Sequence, residues 1–159
     1  MKEQTKQRIE NIGDIVFLSP SFQALTIGVP FCIFKMIFGL LALRQGTLSI
    51  FVSVFAWLII VWASADLIMN LARVYFHLSG RETPIEYCTI AQVGRLLERP
   101  GLFLAIDTLL SFSIICFVLW SGWIKMLGIQ ATYFWYAATT LNLISVSLVN
   151  IWIELKRRA

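Results

Sequence analysis

Three ionisable side chains, Lys35, Asp66 and Asp107, stand inside otherwise apolar stretches of this chain, where a charge is costly enough to need a reason. One cation and two carboxylates in a low-dielectric setting can hold a proton or a small ion. They can equally serve as a polar clasp that orients helices, which is the simpler reading. Asp66 opens a series continued by Asn70, Arg73 and His77 at intervals of four, three and four, so these residues form one stripe on a helix. If the helices touch, Arg73 can pair with Asp107, and Asn70 can hydrogen-bond to either acid. Asn142 and Ser145, three residues apart, share a face further along and are candidate neighbours of Lys35.

Depth bears on which of these groups can meet. At 1.5 Å per residue, Asp66 lies about 27 Å below Leu48, Asp107 about 7 Å above Leu102 and Lys35 about 20 Å above Phe22. The two acids then fall toward one membrane face and Lys35 toward the other. A direct pair between Lys35 and Asp107 is not expected, and Lys35 either snorkels to headgroups or sits in a polar cavity between helices.

No enzymatic signature accompanies these residues. His77 is the single histidine and reads as a solvated surface group. Cys32, Cys88 and Cys116 show no CxxC spacing and read as reduced packing residues; no nucleophile set, metal-ligand cluster or phosphate-cradling glycine loop can be assembled. No catalytic activity is expected, and no cofactor is indicated. The net charge of +4 resides in scattered basic residues rather than a basic stripe, which argues against nucleic acid.

The elements that must position the polar groups are apolar helices. Of the 159 residues, 58% are hydrophobic, mean hydropathy is +0.79 and twelve Phe and six Trp are present, too apolar for a soluble domain of this size. The reading is all-α: a polytopic membrane protein with spans over about 22–43, 48–72, 102–123 and 132–153, arranged as two antiparallel hairpins. Pro30 should kink the first span, and the second should run on past the membrane surface. Residues 1–18 form an N-terminal interfacial segment, with Ile9, Ile12 and Val16 on one side, residues 19–153 the membrane domain, and 154–159 a basic tail. The N-terminal apolar run is too long for a signal peptide and has no cleavage site, so it is expected to remain as the first span.

Between the second and third spans, Thr83-Pro84-Ile85-Glu86 has the form of a helix start, with Thr83 as cap and Glu86 closing a capping box. An amphipathic cytoplasmic or interfacial helix over about 84–98 is expected, its face of Ile90, Val93 and Leu97 available to the membrane surface or a partner.

Ten of the basic residues, Lys2, Lys6, Arg8, Arg73, Arg81, Arg95, Arg99, Lys156, Arg157 and Arg158, fall on one face of this topology. Only Arg44 and Lys125 fall on the other, which places both termini in the cytoplasm and the chain in the inner (plasma) membrane. Trp120, Trp123, Tyr133 and Trp135 should form an outer aromatic belt, Tyr75 and Trp152 an inner one. The partners expected are the lipid bilayer and other membrane subunits or further copies of the chain. The function expected is a non-catalytic subunit or scaffold, with an oligomeric ion or small-solute channel or carrier as the alternative.

Overall fold

A computed structural model describes residues 13–45 and 49–158 and is helical, with no strand among them. Four helices are long and apolar enough to cross a membrane: α1 (Pro20–Gln45), α2 (Ile50–Leu78), α4 (Pro100–Trp120) and α5 (Ile129–Arg158). A short helix α3 (Thr89–Leu96) lies between α2 and α4, and a 3₁₀ turn (Trp123–Met126) between α4 and α5. Helix α2 is 29 residues long, in keeping with an extension beyond the hydrocarbon.

Helix α1 is the hub, the most buried of the four. Small residues let α2 approach it: a Cβ at Gly39 would lie 2.6 Å from Ile60 and 3.3 Å from the Ala56 carbonyl, and one at Gly28 would overlap Asn70. On its other sides α1 packs against both α4 and α5. The expected second hairpin is therefore only a connection. Helices α4 and α5 are joined by a tight turn but make little contact with each other, because α1 with its large aromatic side chains stands between them. Phe31, Phe34 and Phe38 reach Phe112, Phe117, Trp123 and Trp135 with ring centroids 5.8–6.0 Å apart and fill the half of the bundle toward the Gln45 end. Trp135 is fully buried in that core and so does not belong to an aromatic belt, while Trp123 is half-buried and packs on Phe38 and Phe117. Trp120, Tyr133 and Tyr75 do lie exposed.

Pro30 cannot donate a backbone hydrogen bond and crowds the turn before it. The chain answers with a π turn over Ala24–Gly28, closed by the Val29 N–H on the Ala24 carbonyl.

The first and last described segments meet at the end of the bundle opposite Gln45. Residues 13–17 form a helical turn tied to α5: the Trp152 Nε1–H donates to Asp14 (3.0 Å), and Lys156 pairs with it at 2.5 Å. The hydrogen bond from Lys156, reinforced by Trp152, holds the Asp14 carboxyl below its usual range. Its contribution is present above the ordinary carboxylate pKa and disappears as pH falls through the lowered one. Of the amphipathic pattern expected near the N-terminus, Val16 is exposed and Ile9 and Ile12 lie outside the described residues.

The connection after α2 differs most from expectation. No helix starts at Thr83; residues 81–88 are non-helical, and α3 begins at Thr89 with the Cys88 thiol accepting the Ala91 N–H (3.3 Å). Tertiary contacts override the local capping signal. Arg73 donates to the Ile85 carbonyl and stacks 3.7 Å from the Tyr87 ring centroid, and Arg95 donates to the Pro84 carbonyl (2.6 Å). Held this way, the segment climbs back along the bundle. Asp66, which Thr89 contacts, is twelve residues before Leu78, so the rise is about 18 Å.

Helix α3 then packs tightly on α4, with Gly94 against Phe103. It ends in a paired motif: the Glu98 N–H donates to the Arg95 carbonyl and the Arg99 N–H to the Gly94 carbonyl, with Glu98 left-handed at φ 55°. A non-glycine residue in that conformation costs about 1–2 kcal/mol. Glu98→Gly is expected to raise the unfolding midpoint in detergent by about 2–4 °C, roughly 1 kcal/mol, measured by thermal denaturation. A lowered midpoint would show that the Glu98 side chain matters more than its backbone.

Candidate functional site

The three buried charges meet. Lys35 Nζ lies 2.8 Å from Asp107 Oδ1 and 3.1 Å from Asp66 Oδ2, and 4.0 Å above the Trp62 ring. This corrects the expectation that Lys35 and Asp107 sit too far apart to pair, for two physical reasons. The helices share no common depth datum: α1 begins low, with Ser21 hydrogen-bonded to His77 at 2.8 Å, whereas α4 begins after a connection that has already climbed into the bundle. In addition, side chains lean toward the helix N-terminus, which swings the Lys35 stem down to the acids. Snorkelling is ruled out by burial, since Lys35 is 1% exposed.

Each carboxylate is placed differently. Asp66 Oδ2 receives Lys35, and Oδ1 receives the Thr89 N–H (2.7 Å) and hydroxyl (2.9 Å), so three donors satisfy it. Asp107 receives Lys35 on Oδ1 and has the Cys88 thiol beside it. The cluster thus joins α1, α2, α4 and the start of α3, with one cation against two carboxylates.

Asn70 and Arg73 stand on the same stripe but act elsewhere. Asn70 Nδ2 donates to the Asp66 carbonyl (2.8 Å) and the Tyr87 carbonyl (3.0 Å) and lies 3.9 Å from Cys32 Sγ, touching neither carboxylate. Arg73 holds the connection rather than Asp107. Asn142 is fully buried, and its Nδ2 donates to the Ile27 carbonyl (3.0 Å) in the π turn, joining α5 to α1 rather than bonding to Lys35. Ser145 is buried on the same face of α5. Of the expected partner face, Val93 and Leu97 are exposed and Ile90 is half-buried, while Ala91 and Gly94 form the packed side of α3.

A cavity of about 420 Å³ opens on this cluster. Lys35, Asp66 and Asp107 line it together with Gly28, Asn70 and Tyr87, and Leu104, Ala105, Val146 and Val149 supply apolar walls from α4 and α5. It lies where those two helices fail to pack together. Tyr87 and Gln23 border it and join through the Tyr87 hydroxyl, 2.8 Å from Gln23 Oε1. On the Gln45 side the aromatic core closes it.

Trp62, Thr89, Cys88, Tyr87 and Gly28 complete the site and were not anticipated. Trp62 carried a readable signal, lying four residues before Asp66 on the same helix face. The others carried none, because only the folded-back connection and the close α1–α2 approach bring them in. Burial pushes the Cys88 thiol up to about 12, with the Asp107 carboxylate adding to the effect. Among the described residues, no group of three His, Cys, Asp or Glu side chains is placed to hold a metal ion. No family model, curated protein or solved structure matches this chain.

Proposed function

We propose that this multi-pass membrane protein is a small carrier, in which Lys35, Asp66 and Asp107 form the proton- or ion-binding site of a solute pathway. The observation that carries this reading is the meeting of all three charges on one wall of a 420 Å³ cavity. A pure clasp needs no adjoining space, and a buried ion cluster is weak evidence for stability alone. The distribution of basic residues supports an inner-membrane location with both termini, and hence the cavity edge at Gln23 and Tyr87, on the cytoplasmic side. The alternative of a non-catalytic subunit or scaffold retains the exposed Val93, Leu96 and Leu97 as a surface for another subunit or a second copy. It loses part of its support, because the connection directs Thr89 and several carbonyls into its own bundle.

The test is proton movement. Purified protein in liposomes carrying an internal pH-sensitive dye is challenged with an imposed pH gradient. Wild type is expected to dissipate the gradient, and Asp66→Asn and Asp107→Asn each to slow it at least tenfold. Unchanged rates in both variants sink the carrier reading.

A further inference from the structure

We propose, building on the carrier reading, that the cavity binds a monovalent organic cation with an apolar body, such as a protonated lipophilic amine, with its charged head on Asp107. Two independent observations converge on this ligand class. The charges lining the cavity are one ammonium and two carboxylates, a local excess of one negative charge. The nearest further cation on α2 is Arg73, two turns from Asp66; it is engaged with Ile85 and Tyr87 and is not part of the lining.

Next to these charges stands an acceptor without a donor. Asn70 is 1% exposed and lines the cavity, yet its Oδ1 has no hydrogen-bond partner. Both groups that its Nδ2 meets at normal hydrogen-bond distance are carbonyls, which accept only, so the amide cannot be turned round to hide that oxygen. Its placement is built in: a Cβ at Gly28 would lie 1.9 Å from Oδ1, so only glycine at that position leaves room for it. Gly28 covers that oxygen, so it marks the close α1–α2 approach that shapes this wall of the cavity rather than a contact for the ligand.

The second observation is the lining. Ile27, Phe31, Leu104, Ala105, Val146 and Val149 surround the polar end with apolar side chains, and the volume is that of a small-molecule site. An anion would face the uncompensated carboxylate, and a fully hydrated inorganic cation would have to leave its water against hydrocarbon. An apolar cation satisfies both ends.

The titratable and charged groups that line the cavity are Cys32 and Lys35 from α1, Asp66 from α2, Tyr87 and Cys88 from the connection and Asp107 from α4, with Asn70 beside them; α5 contributes no charged group to the lining. Protons and the organic cation therefore contend for the same carboxylates. In a carrier, that competition couples exit of one to uptake of the other.

The experiment uses the full chain in lipid nanodiscs and isothermal titration calorimetry with benzyltrimethylammonium, whose charge is independent of pH. Benzyl alcohol and phenylacetate serve as neutral and anionic controls. The expected result is one cation per chain, bound at least tenfold more tightly than either control, with affinity falling as pH is lowered from 8 to 5. Asp107→Asn is expected to weaken binding at least tenfold. Gly28→Ala, which crowds Asn70 at the cavity wall without removing a charge, is expected to weaken it less than Asp107→Asn does. Equal affinity for the neutral or anionic probe, or a wild-type affinity independent of pH, overturns the proposal even if neither variant folds. Proton flux that persists where no cation binds would remove this ligand and leave the carrier reading standing; loss of both would remove the two together.

Discussion

Lys35→Met lowers the stability of the bundle by about 3–5 kcal/mol, because it leaves two buried carboxylates facing one another without their shared cation. For a chain of this size the unfolding midpoint is expected to drop by about 10 °C, measured by circular dichroism in mild detergent. The triple variant Lys35→Met, Asp66→Asn, Asp107→Asn is expected to regain most of that loss, since neutral side chains of similar volume often replace a buried ion cluster at little cost. A single variant within 2 °C of wild type would mean that water reaches the cluster freely. A triple variant no better than the single one would point instead to the Lys35 stem and its contact with Trp62 as the stabilising element.

The second large effect concerns the connection. Cys88 is 4% exposed and its thiol is held near 12, so a water-soluble maleimide should label it very slowly in a Cys32→Ser, Cys116→Ser background. Arg73→Ala removes a charged hydrogen bond to Ile85 and the stacking on Tyr87. Hydrogen bonds to charged groups are worth about 1.5–3 kcal/mol, so labelling of Cys88 is expected to accelerate roughly ten- to hundredfold, tracking the population of opened connection. A rate within twofold of the parent would show that Arg73 does not hold this segment down. The pH dependence has a definite sign. With the folded thiol raised to about 12, its contribution to closure is complete below the ordinary thiol pKa of about 9 and is lost as pH rises toward 12. Labelling in the parent should therefore rise with pH more steeply than the thiolate fraction of an exposed cysteine.

Four spans could be read from the chain because hydropathy accumulates over some twenty residues and needs no knowledge of neighbours. The stripe of Asp66, Asn70 and Arg73 could be read for the same reason, since helical periodicity is local, and all three are buried. What these residues touch could not be read. Lys35 and Asp107 differ by 72 positions, and their levels depend on where each helix enters the bundle, which the first apolar residue of a span does not reveal. The Thr83 capping signal failed in the opposite way: it was locally sound, but Arg73, Arg95 and Asp66 offered the backbone of residues 84–89 other partners. Trp135 illustrates a third limit. An aromatic near a turn suits an interfacial belt, and only the gap left by Phe34 shows that it fills the core.

The π turn over Ala24–Gly28 divides α1 into two parts with separate angular settings. Above it, Lys35 faces the acids; below it, Gln23 meets Tyr87, and within it Ile27 accepts Asn142. Each residue added to or taken from a helix rotates whatever follows by about 100°. Shortening this turn by one residue would restore ordinary helix and swing Gln23 away from Tyr87 while leaving Lys35 where it is. Helical phase at the Gln23–Tyr87 edge of the cavity is thus set independently of phase at its charged floor, and a rearrangement of this one turn could move that edge without disturbing the ion cluster.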